Sequence, residues 1–369
     1  MNRLFRWDQM GLFLLALAAG ILPFAVPEVC AAALREGLTL CSGPLLLSLF
    51  PFLVVSRLLV QCPESDLLAM PFRLAAWGIG IRTPCAARVL CIGFLGGFAP
   101  AASAAAQAVR TGQLTAEEAD ALLPACICSG PSFVVLTVGQ SLLGSAELGV
   151  LLFASQIIAN YLTAALLNRF VGVRSVKPGS AAPAFPAPPR LDEILADAAI
   201  TYCKLCGFIL FFRMLAAGAG ALLPAGAGTL CAVLLEVCSG CDLASRTGRW
   251  GSLLCCAALS VQGLSVLLQV RTICPPEMTL RPLYRSRLLH LPLSLALFYL
   301  LLPGGEADVF STLPARVLLM RRVPPDCALL VFAVCCMAAC TLRSGIRQVE
   351  QKQMARNAGG CCINSKTLL

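Results

Sequence analysis

The residues best suited to hold a polar solute interrupt an apolar segment of the chain. Pro131 removes a backbone donor and crowds the preceding turn, and Gly130 allows the chain to bend. Non-helical backbone at membrane depth is tolerated only where it faces protein or a water-filled cavity. The freed N–H groups and the hydroxyls of Ser129 and Ser132 therefore predict a site for an anion or a polar solute. A proline kink that serves helix packing is the alternative.

A second interruption of the same kind lies in the other half of the chain. Gly263 and Ser265 again open an apolar run, and Gln269 follows one turn later. Duplicated apolar units broken by Gly, Pro and Ser are typical of transporters built from repeats, which bind their solute where helices break. A helix rich in small residues precedes each interruption. The residues of these helices that we expect to line the site are Gly97, Pro100, Ser103, Ser239 and Gly240.

A lone carboxylate, Glu236, lies in the apolar stretch 234–240. Carboxylates in such surroundings are costly unless they are paired or functional. We expect Glu236 to couple a proton or a sodium ion to transport, or to bind substrate hydroxyls. An ion pair with Arg213, on the matching helix of the same half, is the structural alternative.

Catalytic, metal and cofactor chemistry find little support in the sequence. Most of the 21 cysteines lie in apolar windows, where cysteine behaves as a small hydrophobic residue. Two Cys-x-x-Cys pairs occur, Cys203–Cys206 and Cys238–Cys241, but a zinc site needs four ligands and His290 is the single histidine. Because no Ser-His-Asp arrangement or phosphate-binding loop is present, we expect no catalytic residue, metal or cofactor, and no enzyme.

The composition indicates that these residues are carried by membrane-spanning helices. The chain is 58% hydrophobic and 13% charged, with a mean hydropathy of +0.83. Its net charge of +9 lies mostly in loops and the tail, as cytoplasmic loops require, and does not indicate nucleic-acid binding. We predict an all-α polytopic protein embedded in a lipid bilayer. The candidate spans are 10–27, 38–60, 88–109, 121–143, 147–168, 195–223, 227–243, 251–270, 288–303 and 327–342.

Two repeats divide the chain. Phe52 and Arg57 are repeated, with the same five-residue step, by Phe208 and Arg213. The segment 171–190 contains five prolines, which predicts an extended linker. We predict a transmembrane segment over 1–37, retained rather than cleaved, a first repeat over 38–170, the cytoplasmic linker 171–190, a second repeat over 191–285, two transmembrane helices over 286–343 and a basic cytoplasmic tail over 344–369.

The positive residues of the N-terminus, linker and tail should all be cytoplasmic. This requires that one window in each repeat enters and leaves on the same side. We expect these broken, re-entrant windows to be 121–143 and 251–270, because they carry the interruptions, and the two repeats are then inverted. The excess residues 62–85 of the first repeat predict a re-entrant hairpin or an interfacial helix.

A family resemblance rests on 93–100, on 111–119 and on 129–133 in the first half, and on 235–240 and 263–269 in the second. These segments resemble the nucleoside-recognition (gate) domain membrane proteins, within them the sporulation integral membrane proteins of the YlbJ/SpoVV type. The resemblance implies a fold like that of concentrative nucleoside transporters.

The same resemblance implies a role as well as a fold. The expected activity is transport of a small polar or anionic metabolite, dipicolinate or a nucleoside-like solute, toward the forespore during sporulation. H⁺ or Na⁺ would be the coupling ion, and the membrane would be the cell membrane or the outer forespore membrane. Relatives tend to have paired asparagines where this chain has Ile127 and Cys128. This difference favours the alternative, a non-transporting membrane scaffold or assembly factor with a degenerate pocket.

Overall fold

The computed structural model describes residues 2–61, 65–171 and 191–302. Within these residues every regular element is a helix. The predictions for most of the linker 171–190, for the last predicted span 327–342 and for the tail 344–369 lie outside the described residues.

The chain begins with two helices, α1 (Asn2–Ala25) and α2 (Pro27–Ser42). Val26 leaves the helical conformation and Pro27 starts α2, which is the helical position where proline is best tolerated. The part of α1 from Leu15 onward is bent by 110° from α2. Because of this bend, α2 lies along a helix of the second half, α10 (Leu191–Leu222).

The helices of each half follow in a similar order. The first half contains α3 (Pro44–Gln61), α4 (Ser65–Leu68), α5 (Met70–Gly78), α6 (Pro84–Gly96), α7 (Phe98–Arg110), α8 (Ala116–Cys126), a π-helix (Ser132–Leu142) and α9 (Ala146–Val171). The second half contains α10 (Leu191–Leu222), α11 (Ala225–Leu235), α12 (Val237–Ser245), a 3-10 turn (Gly248–Trp250), α13 (Gly251–Val261), α14 (Gly263–Ile273) and α15 (Arg281–Leu301).

Two of the helix pairs fold back on themselves. A Cβ atom built on Gly93 of α6 would lie 3.2 Å from the Cβ of Ala101 of α7. In a straight helix, residues eight apart are separated by about 12 Å. The turn is made by Gly97, whose φ of +81° favours glycine. Similarly, a Cβ on Gly240 of α12 would lie 2.8 Å from the Cα of Val233 of α11.

The next helix pair in the second half differs from these hairpins. Helices α13 and α14 are separated by one residue, and the segment Gly248–Ile273 is long and apolar enough to cross a membrane. The re-entrant course predicted for 251–270 therefore differs from the structure, which instead puts the fold-back in the preceding pair, α11–α12. The same holds in the first half, where the fold-back lies in α6–α7 rather than at the interruption within 121–143.

Three helical segments of the described chain are long and apolar enough to span a membrane, Ala146–Phe170, Leu191–Leu222 and Gly248–Ile273. The bent pair α1–α2 raises the number to four. The sequence therefore predicted the helical, membrane-compatible class, although several of its ten windows are shorter or interrupted helices.

The excess segment of the first half forms the short helices α4 and α5. Both are too short to cross a bilayer. In α5 the side chains of Met70, Leu74 and Trp77 are exposed. Such an exposed apolar surface is compatible with an interfacial helix, one of the two expected forms of this segment.

Small residues bring the helices around α7 together. Seven of its alanines are buried, and the helix packs against α3, α6, α8 and α14. Small side chains allow close approach of helix backbones in membranes. Two further pairs of long helices join the halves, since α3 packs on α10 and α9 packs on α15.

Candidate functional site

The turn of each hairpin lies against the interruption that follows it in sequence. A Cβ on Gly97 would lie 2.6 Å from the backbone nitrogen of Gly130. In the second half, a Cβ on Gly263 would lie 3.0 Å from the carbonyl oxygen of Leu235 and 3.1 Å from the nitrogen of Glu236. Glycine at 97 and 263 therefore lets two backbones meet, and the same meeting occurs in both halves.

The two interruptions also contact each other. The Nε2 of Gln262 donates to the Oγ of Ser129 at 3.4 Å and to the carbonyl oxygen of Leu259 at 2.6 Å. Gln262 has a φ of +66°, which is uncommon for a residue other than glycine. Strained backbone of this kind clusters at functional sites. The two interruptions therefore cross in direct contact, and Gln262, which was not among the expected site residues, lies at this crossing.

Two buried amide oxygens of this region have no hydrogen-bond donor among the described residues, Oε1 of Gln262 and Oε1 of Gln269. Both side chains are 1% exposed. The amide nitrogen of Gln269 donates to the Oγ of Ser265 at 2.9 Å, which joins two of the predicted residues. Buried acceptors without a partner are rare and call for an explanation. A water, a cation or a solute N–H or O–H could each occupy them.

The other predicted residues lie around this crossing in different roles. Pro100 is buried in the first turn of α7, against Gly96. Pro131 caps the π-helix and Ser132 begins it, both half-buried. Gly240 packs against Val233 in the second hairpin.

Glu236 lies at the turn of the second hairpin, where it caps α12. Its carboxylate accepts hydrogen bonds from the backbone N–H groups of Cys238 and Ser239 at 2.8 and 2.7 Å, and from the Ser239 hydroxyl at 2.8 Å. A carboxylate at a helix N-terminus is stabilised by the free N–H groups and by the helix dipole. The structure thus satisfies the buried carboxylate locally, through its own helix.

The ion pair between Glu236 and Arg213, which was the structural alternative for Glu236, does not form. The Nη2 of Arg213 donates to Oε2 of Glu36 at 2.8 Å. Glu36 belongs to α2, which the bend after α1 lays along α10. Because this contact joins residues far apart in sequence, no local pattern indicated it.

A cavity of about 160 Å³ lies beside the last of the predicted residues, Ser103. It is formed by α3, α7, α10 and α14. Basic residues dominate its charge. The lining residues that bear polar groups are Arg57, Ser103, Arg110, Asp197, Thr201, Lys204 and Thr272.

A buried polar cluster between α9 and α15 was missed by sequence reasoning. The guanidinium of Arg287 donates to the carbonyl oxygens of Ile127 and Ser260 at 3.4 and 3.5 Å and to Oδ1 of Asn160 at 3.1 Å. The sequence analysis gave Arg287 and its neighbour His290 no role inside the protein, yet both are buried. Their spacing with Ser294 along one helical stripe of α15 was the available signal.

The cysteines do not form a metal centre in the described part of the chain, where no three potential ligands come together. Most of the described cysteines are buried, in keeping with packing.

Comparisons with family models, with curated proteins and with solved structures found no significant match to this chain.

Proposed function

We propose that this protein is a membrane transporter of a small polar or anionic metabolite, built from two inverted repeats. The order of elements supports the repeats. Each half has a long helix, a hairpin, an interrupted helix and a final long helix. In the first half these are α3, α6–α7, α8 with the π-helix, and α9; in the second they are α10, α11–α12, α13–α14 and α15.

Helix packing gives independent support for this correspondence. The counterpart of α3 is α10 and the counterpart of α9 is α15. Each of these helices packs against its own counterpart. The contact of α7 with α14 has its counterpart in the contact of α12 with the π-helix. The contact of α8 with α15 has its counterpart in the contact of α13 with α9. Such a pattern is expected of two units related by a pseudo-two-fold axis.

A short sequence repeat supports the same correspondence. Arg110-Thr111-Gly112 follows the first hairpin and Arg246-Thr247-Gly248 follows the second. The two glycines have φ values of +70° and +66°. In both copies the threonine hydroxyl donates to a carbonyl oxygen of the preceding turn.

The hairpins also support the topology that the positive residues predict. In the proposed topology α3, the interrupted pair and α9 each cross once and the hairpin does not cross, so the first half ends on the side opposite to its start. The second half begins where the first ends, so the halves have opposite orientation. This is the inverted arrangement in which one half can rock against the other around a fixed central site.

The contact between Ser129 and Gln262 is the observation that carries the proposal. It joins the two interruptions across the repeat interface, and each interruption is touched by a hairpin turn. Rocking of one repeat would change this contact, so a solute bound there would be exposed to the two sides in turn. We further propose dipicolinate as the cargo, moved toward the forespore, and H⁺ or Na⁺ as the coupling ion, from the family resemblance.

A scaffold that has lost transport is the second candidate. One observation favours it, because the crossing is filled by the protein's own side chains. Ser129, Gln262 and Ser265 are each no more than 5% exposed. A transporter closed around its site has the same appearance, so the choice depends on measured flux.

Uptake of dipicolinate and of uridine into proteoliposomes containing the full chain tests the proposal. We expect saturable uptake of one of them, and Ser132→Ala should reduce it by about fivefold or more through loss of a hydroxyl contact. Ser141→Ala is the matched control, since this exposed serine lies on the same π-helix away from the interruption. Absence of uptake for both solutes in a well-folded protein would support the scaffold.

A further inference from the structure

We propose that the cavity between α3, α7, α10 and α14 binds a small oxyanion, a carboxylate or a phosphate, before it reaches the crossing. This inference rests on the proposed function and narrows its substrate class. The cavity has three basic side chains, Arg57, Arg110 and Lys204, and one acidic side chain, Asp197. The lining therefore carries an excess of two positive charges, three minus one.

Arg57 is the best placed of these cations. It is 8% exposed, and its Nε has no hydrogen-bond partner among the described residues. Its Nη1 pairs with Oδ2 of Asp197 at 2.5 Å, and its Nη2 donates to the hydroxyl of Thr201 at 3.4 Å. A guanidinium suits an oxyanion because it can offer two parallel N–H donors to two oxygens.

The carboxylate of Asp197 contacts the guanidinium of Arg57, where the carboxylate of a bound solute would be expected to bind. Its side chain is 61% exposed, whereas that of Arg57 is 10% exposed. Ion pairs with one partner in solvent contribute little stability. An incoming carboxylate can therefore replace Asp197 on the buried guanidinium while Asp197 turns to water.

The position and size of the cavity fit this role. Ser103 lines it six residues after the hairpin turn at Gly97, and Thr272 lines it one turn beyond Gln269. The cavity therefore shares helices α7 and α14 with the crossing. A cavity of about 150 Å³ accommodates a benzene ring, so the observed volume of about 160 Å³ suits a one-ring or shorter carboxylate.

Calorimetric titration of benzoate into the full chain in neutral detergent tests the site. We expect saturable binding that Asp197→Asn tightens and Arg110→Gln weakens, each by about fivefold. The matched controls are Asp242→Asn and Arg246→Gln, which make the same charge changes in an ion pair of the second hairpin that does not line the cavity. Equal effects of the cavity and control variants, or no saturable binding, would overturn the proposal.

Further measurements test whether Arg57 holds the anion and whether the cavity binds a solute or a lipid headgroup. Because Arg57→Gln alone leaves Asp197 unpaired, the double variant Arg57→Gln/Asp197→Asn is used, and it should remain folded while losing benzoate binding. Competition by inorganic phosphate would support the oxyanion class. Benzoate binding in phosphatidylcholine nanodiscs that is lost when phosphatidylglycerol is added would contradict a solute site and assign the cavity to a lipid headgroup.

The two proposals fail in different ways. Variants that change benzoate affinity in a protein without uptake would leave the anion site standing and refute transport. Measured uptake with benzoate affinities unaffected by the cavity variants would refute the anion site and leave transport standing.

Discussion

At the residue scale, Arg287 is a buried cation held by neutral acceptors. None of its hydrogen bonds in the described part of the chain goes to a carboxylate. Two of its acceptors are the carbonyl oxygens of Ile127 and Ser260, which lie where α8 and α13 end. A cation is favourable at the C-terminal ends of helices, where carbonyl groups lack partners. We infer that Arg287 fixes both half-helix ends beside the crossing.

Replacing this guanidinium should destabilise the fold. Arg287→Met leaves two buried carbonyl groups with fewer donors, and each such group costs about 1–3 kcal/mol. Because desolvation of the arginine is also relieved, we expect a net loss of about 2–3 kcal/mol. The measurement is the thermal unfolding midpoint in detergent. Arg285→Met, at an exposed position on the same helix, is the control, and equal midpoints for the two variants would contradict this role.

At the element scale, hairpins and straight interruptions have similar sequences and different geometry. The sequence indicated the interruptions at Gly130 and Gly263, but the windows 88–109 and 227–243 were expected to be unbroken spans and instead contain the hairpin turns. It did not indicate which breaks fold back, because that depends on which small residues face each other across the turn. Gly93 with Ala101, and Gly240 with Val233, make these contacts. The fold-back was expected within 121–143 and 251–270, whereas the structure has it in the preceding pair of helices in each half.

The glycine at the second interruption should be required for packing as well as for its backbone conformation. Gly263 and Gly112 have φ values of +67° and +70°, but only Gly263 has backbone atoms near an added Cβ. Gly112→Ala should cost about 1–2 kcal/mol from the left-handed conformation alone. Gly263→Ala should cost about 1–3 kcal/mol more, through overpacking against Leu235 and Glu236. Equal losses of unfolding free energy would contradict the close approach.

At the scale of the whole molecule, the chain's composition was sufficient to predict a helical membrane-compatible fold. Several members of the candidate site were also predictable, because Gly130, Gly263 and Ser265 stand at helix breaks. The cavity around Arg57 and the cluster around Arg287 were not, since they are assembled from helices far apart in sequence. Gln262 was not among the expected site residues, because a glutamine in a sequence does not indicate that it will adopt a left-handed conformation.

The orientation of the two halves is the most direct test of the account. The turns after the two hairpins, at Gly112 and Gly248, occupy equivalent positions and have open space around them. A site-specific protease sequence is inserted after one or the other, and cleavage is measured in sealed right-side-out and inside-out vesicles. Inverted repeats predict that the two insertions are cut from opposite sides of the membrane. Cleavage of both from the same side would contradict the inverted architecture.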